Sequence, residues 1–86
     1  MKLYVLVDAT LSKSQRAVQT AHAVAQYLID NPTTVWNNGT LVVLQAEDIN
    51  NEALNADSLF REPDLGNRIT AITKLGKDLY QKHMLL

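Results

Sequence analysis

The feature that most restricts the fold is the order of two neighbouring segments: an apolar run over residues 2–8 and a helix-patterned stretch directly after it. The run Lys-Leu-Tyr-Val-Leu-Val-Asp is nearly continuous and rich in β-formers, the mark of a strand covered on both faces. Ser12-Lys13-Ser14-Gln15 then has the serine and glutamine spacing of a capping box, so a helix begins there. Val18, Ala21, Val24, Ala25, Leu28 and Ile29 recur at three- and four-residue steps and predict its apolar face. Asn31-Pro32 stops it, giving a helix over about 13–30.

A polar loop with Trp36 and the turn signal Asn37-Asn38-Gly39 follows, and Thr40-Leu41-Val42-Val43-Leu44-Gln45 reads as a second buried strand. Strand, helix, strand in this order implies a parallel pair joined by a right-handed crossover. Residues 49–57 suggest a short helix, Leu59 to Glu62 a short strand before Pro63, and Ile69-Thr70-Ala71-Ile72-Thr73 a further strand with one better-covered face. A last helix over Gly76 to Lys82 is expected to bury Leu79 and Tyr80, leaving Met84-Leu85-Leu86 as an apolar tail that must pack or fray. The expected architecture is one α/β domain over residues 1–86, a three-layer sandwich. It has a four-stranded mixed sheet, an N-terminal β-α-β parallel unit and helices on both faces.

Composition narrows the chemistry. With 47% apolar residues and no cysteine in 86 residues, the core rests on packing alone, in keeping with a reducing cytoplasm. No apolar run approaches the roughly 20 residues of a bilayer span, so no membrane partner is expected. His22 and His83 have no second ligand at helical spacing, so no metal site is expected. The three glycines, Gly39, Gly66 and Gly76, form no phosphate loop, so no cofactor is expected either. The net charge of −1 hides an asymmetry. Residues 44–66 carry Glu47, Asp48, Glu52, Asp57, Glu62 and Asp64 against Arg61. Residues 67–86 carry Arg68, Lys74, Lys77 and Lys82 against Asp78.

On a wheel of 100° per residue, Gln15, Gln19, His22 and Gln26 of the first helix fall within about 60° of one another. The stripe borders the predicted apolar face, where half-buried amides need hydrogen-bond partners. Taken singly, these residues are also what a scaffold helix carries. Gln15 closes the capping box, Gln19 and Gln26 are solvated, and His22 is a structural histidine. Histidine is the residue type suited to proton transfer near neutral pH. No cysteine exists as its nucleophile and no pattern nominates a serine, so a Ser-His-Asp hydrolase is unsupported.

Gln15-Arg16-Ala17-Val18-Gln19-Thr20-Ala21-His22-Ala23 resembles the helix signature Lys-x-Ala-Ala-Gln-x-x-His-Ala of the second structural family of peptidyl-tRNA hydrolases. The leading strand ending near Asp8, the Trp36 loop before Leu41-Val42-Val43-Leu44, and the closing Lys82-His83-Met84-Leu85-Leu86 agree in order, so the resemblance spans nearly the whole chain. Asp64-Leu65-Gly66-Asn67-Arg68-Ile69-Thr70 resembles, in abbreviated form, the family's aspartate loop and the threonines after it. One departure is chemical: the family has an active-site lysine where this chain has Gln15. A neutral amide attracts phosphate and stabilises an oxyanion less than an ammonium does.

The resemblance implies hydrolysis of the ester between a peptidyl or blocked aminoacyl group and tRNA, without a covalent nucleophile. Asp64 would orient or deprotonate a water. Gln19 and Thr70 would hydrogen-bond the carbonyl or its oxyanion, with Gln15 beside them and His22 bracing the helix or shuttling a proton. Lys13, Arg16, Arg68, Lys74 and Lys77 would meet tRNA phosphates, and binding would weaken with salt. Read without the resemblance, Pro63-Asp64-Leu65-Gly66 is an ordinary turn. Two further readings stay open: a non-catalytic nucleic-acid- or protein-binding module of the same fold, and a ferredoxin-like domain dimerising through the Leu59 strand and the Leu85-Leu86 tail.

Overall fold

The structure is a computed structural model describing residues 1–86. Its first strand, β1 (Lys2–Asp8), leads into α1 (Lys13–Asp30) and then β2 (Leu41–Ala46). β1 and β2 pair in parallel, Leu3 opposite Leu41 through Asp8 opposite Ala46. After β2 come a one-turn helix α2 (Ile49–Glu52), a 3-10 turn over Ala53–Asn55, β3 (Ser58–Glu62), a second 3-10 turn over Pro63–Leu65, and β4 (Arg68–Gly76). The sheet order is β2-β1-β4-β3, with β4 antiparallel to both of its neighbours. Because β1 and β2 hydrogen-bond directly, the ferredoxin-like reading does not hold; its split β-α-β unit would place another strand between them.

β1 sits in the middle of the sheet and is buried from Leu3 to Asp8, as its unbroken apolar run requires. Its residues alternate between two cores. Leu3, Val5 and Val7 face α1, where Ala23 lets the helix approach Val5, Val7 and Ala71 closely, and Tyr27 packs with Leu3 and Trp36. Tyr4 and Leu6 face the other way, joining Leu44, Ala46, Ile72 and Ile49 of α2 under Ala53, Leu79 and Tyr80. No helix is long and apolar enough to cross a membrane.

α1 starts as expected, with the Ser12 hydroxyl accepting from the Gln15 N–H at 3.2 Å. Its buried side differs from the predicted one. Gln19, Ala23 and Tyr27 face the sheet, whereas Val18, Leu28 and Ile29 are 47%, 44% and 71% exposed. The four-residue row Gln19-Ala23-Tyr27 wins because each member suits its place: Gln19 finds polar partners, Ala23 is thin, and Tyr27 reaches Thr34 with its hydroxyl.

The predicted last helix over Gly76–Lys82 is absent. β4 extends to Gly76 because Lys74, Leu75 and Gly76 go on pairing with Tyr4, Leu3 and Lys2 of β1, and turns follow it. Asp78 and Tyr80 take left-handed φ of 50° and 56°, which no right-handed helix tolerates. The turn is held by the Tyr4 hydroxyl accepting from the Leu79 N–H at 3.1 Å and by the edge-on packing of Tyr80 on Tyr4. The tail then runs beside β2, with Gln45 N–H donating to the Met84 carbonyl and Leu86 N–H to the Val43 carbonyl. It covers the backbone of that edge, while the Met84 and Leu85 side chains stay exposed.

Candidate functional site

The sheet-facing part of the glutamine stripe meets β3 and β4 at the end where β1 finishes. Gln19 is fully buried there. Its Nε2 donates to Glu62 Oε1 at 2.8 Å and to Gln15 Oε1 at 3.4 Å, and its Oε1 accepts from the Thr70 hydroxyl at 2.6 Å. An ionised Glu62 accepts only, so it fixes which end of the Gln19 amide is nitrogen, and the hydroxyl proton of Thr70 must then go to Gln19.

Strand alternation alone would not bring Thr70 to α1. β3 pairs Phe60 with Ala71 and Arg61 with Ile69, so Thr70 is left as the extra residue of a β-bulge. The bulge turns Thr70 to the same side as Ala71, which packs on Ala23, while Ile69 and Ile72 pack in the opposite core. The same end of β3 is closed by the Pro63 turn. Asn67 N–H donates to the Glu62 carbonyl at 2.9 Å, and Gly66 and Asn67 take positive φ of 68° and 60°. The turn reading of Pro63 to Gly66 is thus correct as geometry.

Of the residues singled out in sequence, Gln15, Gln19 and Thr70 form one chain of hydrogen bonds. Asp64 lies two residues beyond Glu62, exposed and without a hydrogen bond inside the chain. His22 stacks face to face on Phe60 of β3, ring centres 4.7 Å apart, and so braces the helix against the edge strand. In this arrangement Gln19 and Thr70 have no donor left for an oxyanion, whereas the Gln15 amide nitrogen does.

Neither a protein-family model nor a curated protein matches the chain. Its chemistry therefore rests on the geometry.

The five cations do not form one surface. Lys13, Arg16 and Arg68 lie at the end of the sheet near Asp8. Lys74 pairs with Asp57 at 3.7 Å in the other half of β4, and Lys77 follows Gly76, roughly 26 Å of strand from Arg68. Arg16 is used internally, donating to the Ala9 carbonyl and Gln45 Oε1, each at 3.3 Å. Arg68 binds Asp8 at 3.1 Å.

Two residues carry weight that sequence reading did not give them. Asp8 is 4% exposed and accepts from Arg68 and from the N–H and hydroxyl of Thr10. Its signal was a carboxylate ending a buried strand. Glu62 had only its place two residues before Asp64, since the bulge that aims Thr70 at the same amide has no sequence mark. A cavity of about 400 Å³ lies elsewhere, where Gln45, Glu47, Asp48 and Glu52 face Lys82 and His83. Neither it nor a smaller one near Thr33 and Val35 is lined by Gln19, Glu62 or Thr70.

Proposed function

We propose that this chain hydrolyses the ester that joins a peptidyl or blocked aminoacyl group to tRNA, as a peptidyl-tRNA-hydrolase-like domain. The observation that carries the reading is the Gln19 amide. It ties the helix signature to Thr70 and to the Glu62-Pro63-Asp64 segment, the two parts the resemblance expects to cooperate. A carboxylate of that segment would draw the proton from a water, and the free N–H groups of Gln15 would face the carbonyl oxygen. With glutamine in place of the family lysine, the developing negative charge meets a dipole rather than an ammonium, so a slow enzyme is expected.

A second reading, a non-catalytic nucleic-acid- or protein-binding module, is favoured by one specific observation. Gln19 is wholly buried with every polar atom used, and no cavity opens onto it. The deciding measurement is release of free tRNA from N-acetyl-aminoacyl-tRNA by the purified protein. Release above the spontaneous rate, raised further in Gln15→Lys, supports the hydrolase. Release by Gln15→Lys alone selects the module that has lost its activity. Product formation that holds steady or rises with added salt would count against phosphate-led binding, which must weaken with salt.

A further inference from the structure

We propose that Glu62, rather than Asp64, is the carboxylate that activates water in this site, an inference that rests on the hydrolase reading above. Both carboxylates flank Pro63, but the structure treats them differently. Glu62 is half-buried, its Oε1 is held by the Gln19 amide at 2.8 Å, and its backbone is pinned by Asn67. Asp64 is exposed and has no partner in the chain to fix its rotamer. A base contributes through its position before its basicity, and only Glu62 is positioned.

The Gln19 nitrogen that holds Glu62 also holds Gln15, so the acceptor for a water proton and the donor for a carbonyl oxygen are moored to one atom. The Glu62 and Gln15 oxygens lie within 2.8 and 3.4 Å of it. Gln15 spends its oxygen on that contact, and its side-chain N–H groups make no hydrogen bond within the chain. Arg68, opposite Glu62 in the β3–β4 register, is drawn to Asp8 and leaves the carboxylate unneutralised. Gln19 and Thr70 are then positioning residues: Thr70 orients Gln19, and Gln19 orients the base.

The step balances without any other group. Glu62 Oε2 takes a proton from water as the water oxygen bonds to the ester carbonyl carbon, and the carbonyl electron pair moves to oxygen beside the Gln15 N–H. The pair returns, the bond to the ribose oxygen breaks, and Glu62 passes its proton to that oxygen. The products are a carboxylic acid and tRNA with a free hydroxyl.

The test is single-turnover deacylation of N-acetyl-aminoacyl-tRNA at pH 7 by the wild type, Glu62→Gln and Asp64→Asn, with unfolding curves for each. Glutamine keeps an oxygen for Gln19 to bond, so Glu62→Gln is expected to stay folded. It should lose at least about 100-fold in kcat/KM. Asp64→Asn should lose far less. A Glu62→Gln rate within threefold of an active wild type overturns the assignment while the hydrolase reading stands. An inactive wild type overturns both. If Glu62→Gln does not fold, Glu62→Asp decides: a slower but active enzyme supports Glu62, and an unchanged rate overturns it.

Discussion

The two faces of the sheet are built on different terms. On one, Tyr4, Leu6, Leu44 and Ile72 meet short pieces of chain, the α2 turn and the Leu79-Tyr80 turn, in a core with ordinary apolar contacts. On the other, a single 18-residue helix lies across the strands. It buries a glutamine at one end and leaves Val18, Leu28 and Ile29 outside. The first face is held by area. The second is held partly by hydrogen bonds that work only as a set, because a buried amide gains little from its partners but loses much without them. A face specified in that way is where a site is expected, since its residues are selected for more than packing.

The largest effect that tests this contrast is on the apolar face. Leu6 is fully buried among Leu44, Ile72 and Ile49, so Leu6→Ala removes contacts that short covering turns cannot close. A loss of about 3 kcal/mol in urea unfolding is expected. A loss under about 1 kcal/mol would mean that the turns collapse into the space and that this face is looser than its buried contacts imply.

On the helix face, Gln19→Leu strands the Thr70 hydroxyl and one Glu62 oxygen, for an expected loss of about 2 kcal/mol. Adding Thr70→Val should recover part of it, because removing both partners of a buried bond costs less than removing one. Additive losses in the double variant would show that the two side chains do not share a bond.

How much was legible in sequence follows the same division. The bounds of β1 and α1, the parallel β-α-β unit and the short β3 were all readable, because each rests on local signals: an apolar run, the Ser12 cap, the Asn31-Pro32 stop. The side of α1 that is buried was not readable. Periodicity selected Val18, Ala21, Val24, Ala25, Leu28 and Ile29, of which only Val24 packs against the sheet, because the bulge at Thr70 supplies polar partners that make Gln19 the better buried residue. The last helix failed for a similar reason, since the Tyr4 hydroxyl and the Tyr80 packing that hold the turn come from far along the chain. In the hydrogen-bonded cluster around Gln19, Gln15, Gln19 and Thr70 were singled out through a motif, but Glu62 needed the fold.

That reversal of the helix gives a smaller and sharper prediction. If Ile29 and Val18 face solvent, Ile29→Lys and Val18→Lys should each change stability by no more than about 0.5 kcal/mol. If the periodicity had chosen the buried side, either would bury an unpaired charge and cost several kcal/mol. The measurement therefore separates the two placements of α1 without reference to any activity.

The smallest expected effect returns to the apolar face and appears only in alkali. Burial raises the Tyr80 phenol above its ordinary pKa, and the nearby carboxylates of Glu52 and Asp57 add to the shift. The folded state therefore holds its phenolic proton to higher pH than the unfolded chain does. The stability contributed by neutral Tyr80 is intact below about pH 10, and it is lost as the pH climbs from there through the raised value. Tyr80→Phe cannot ionise, and it keeps the ring on Tyr4. Its unfolding midpoint should fall less steeply than that of the wild type between about pH 9.5 and 11. Equal slopes would place the phenol in open solvent, and with it the turn that closes the apolar core.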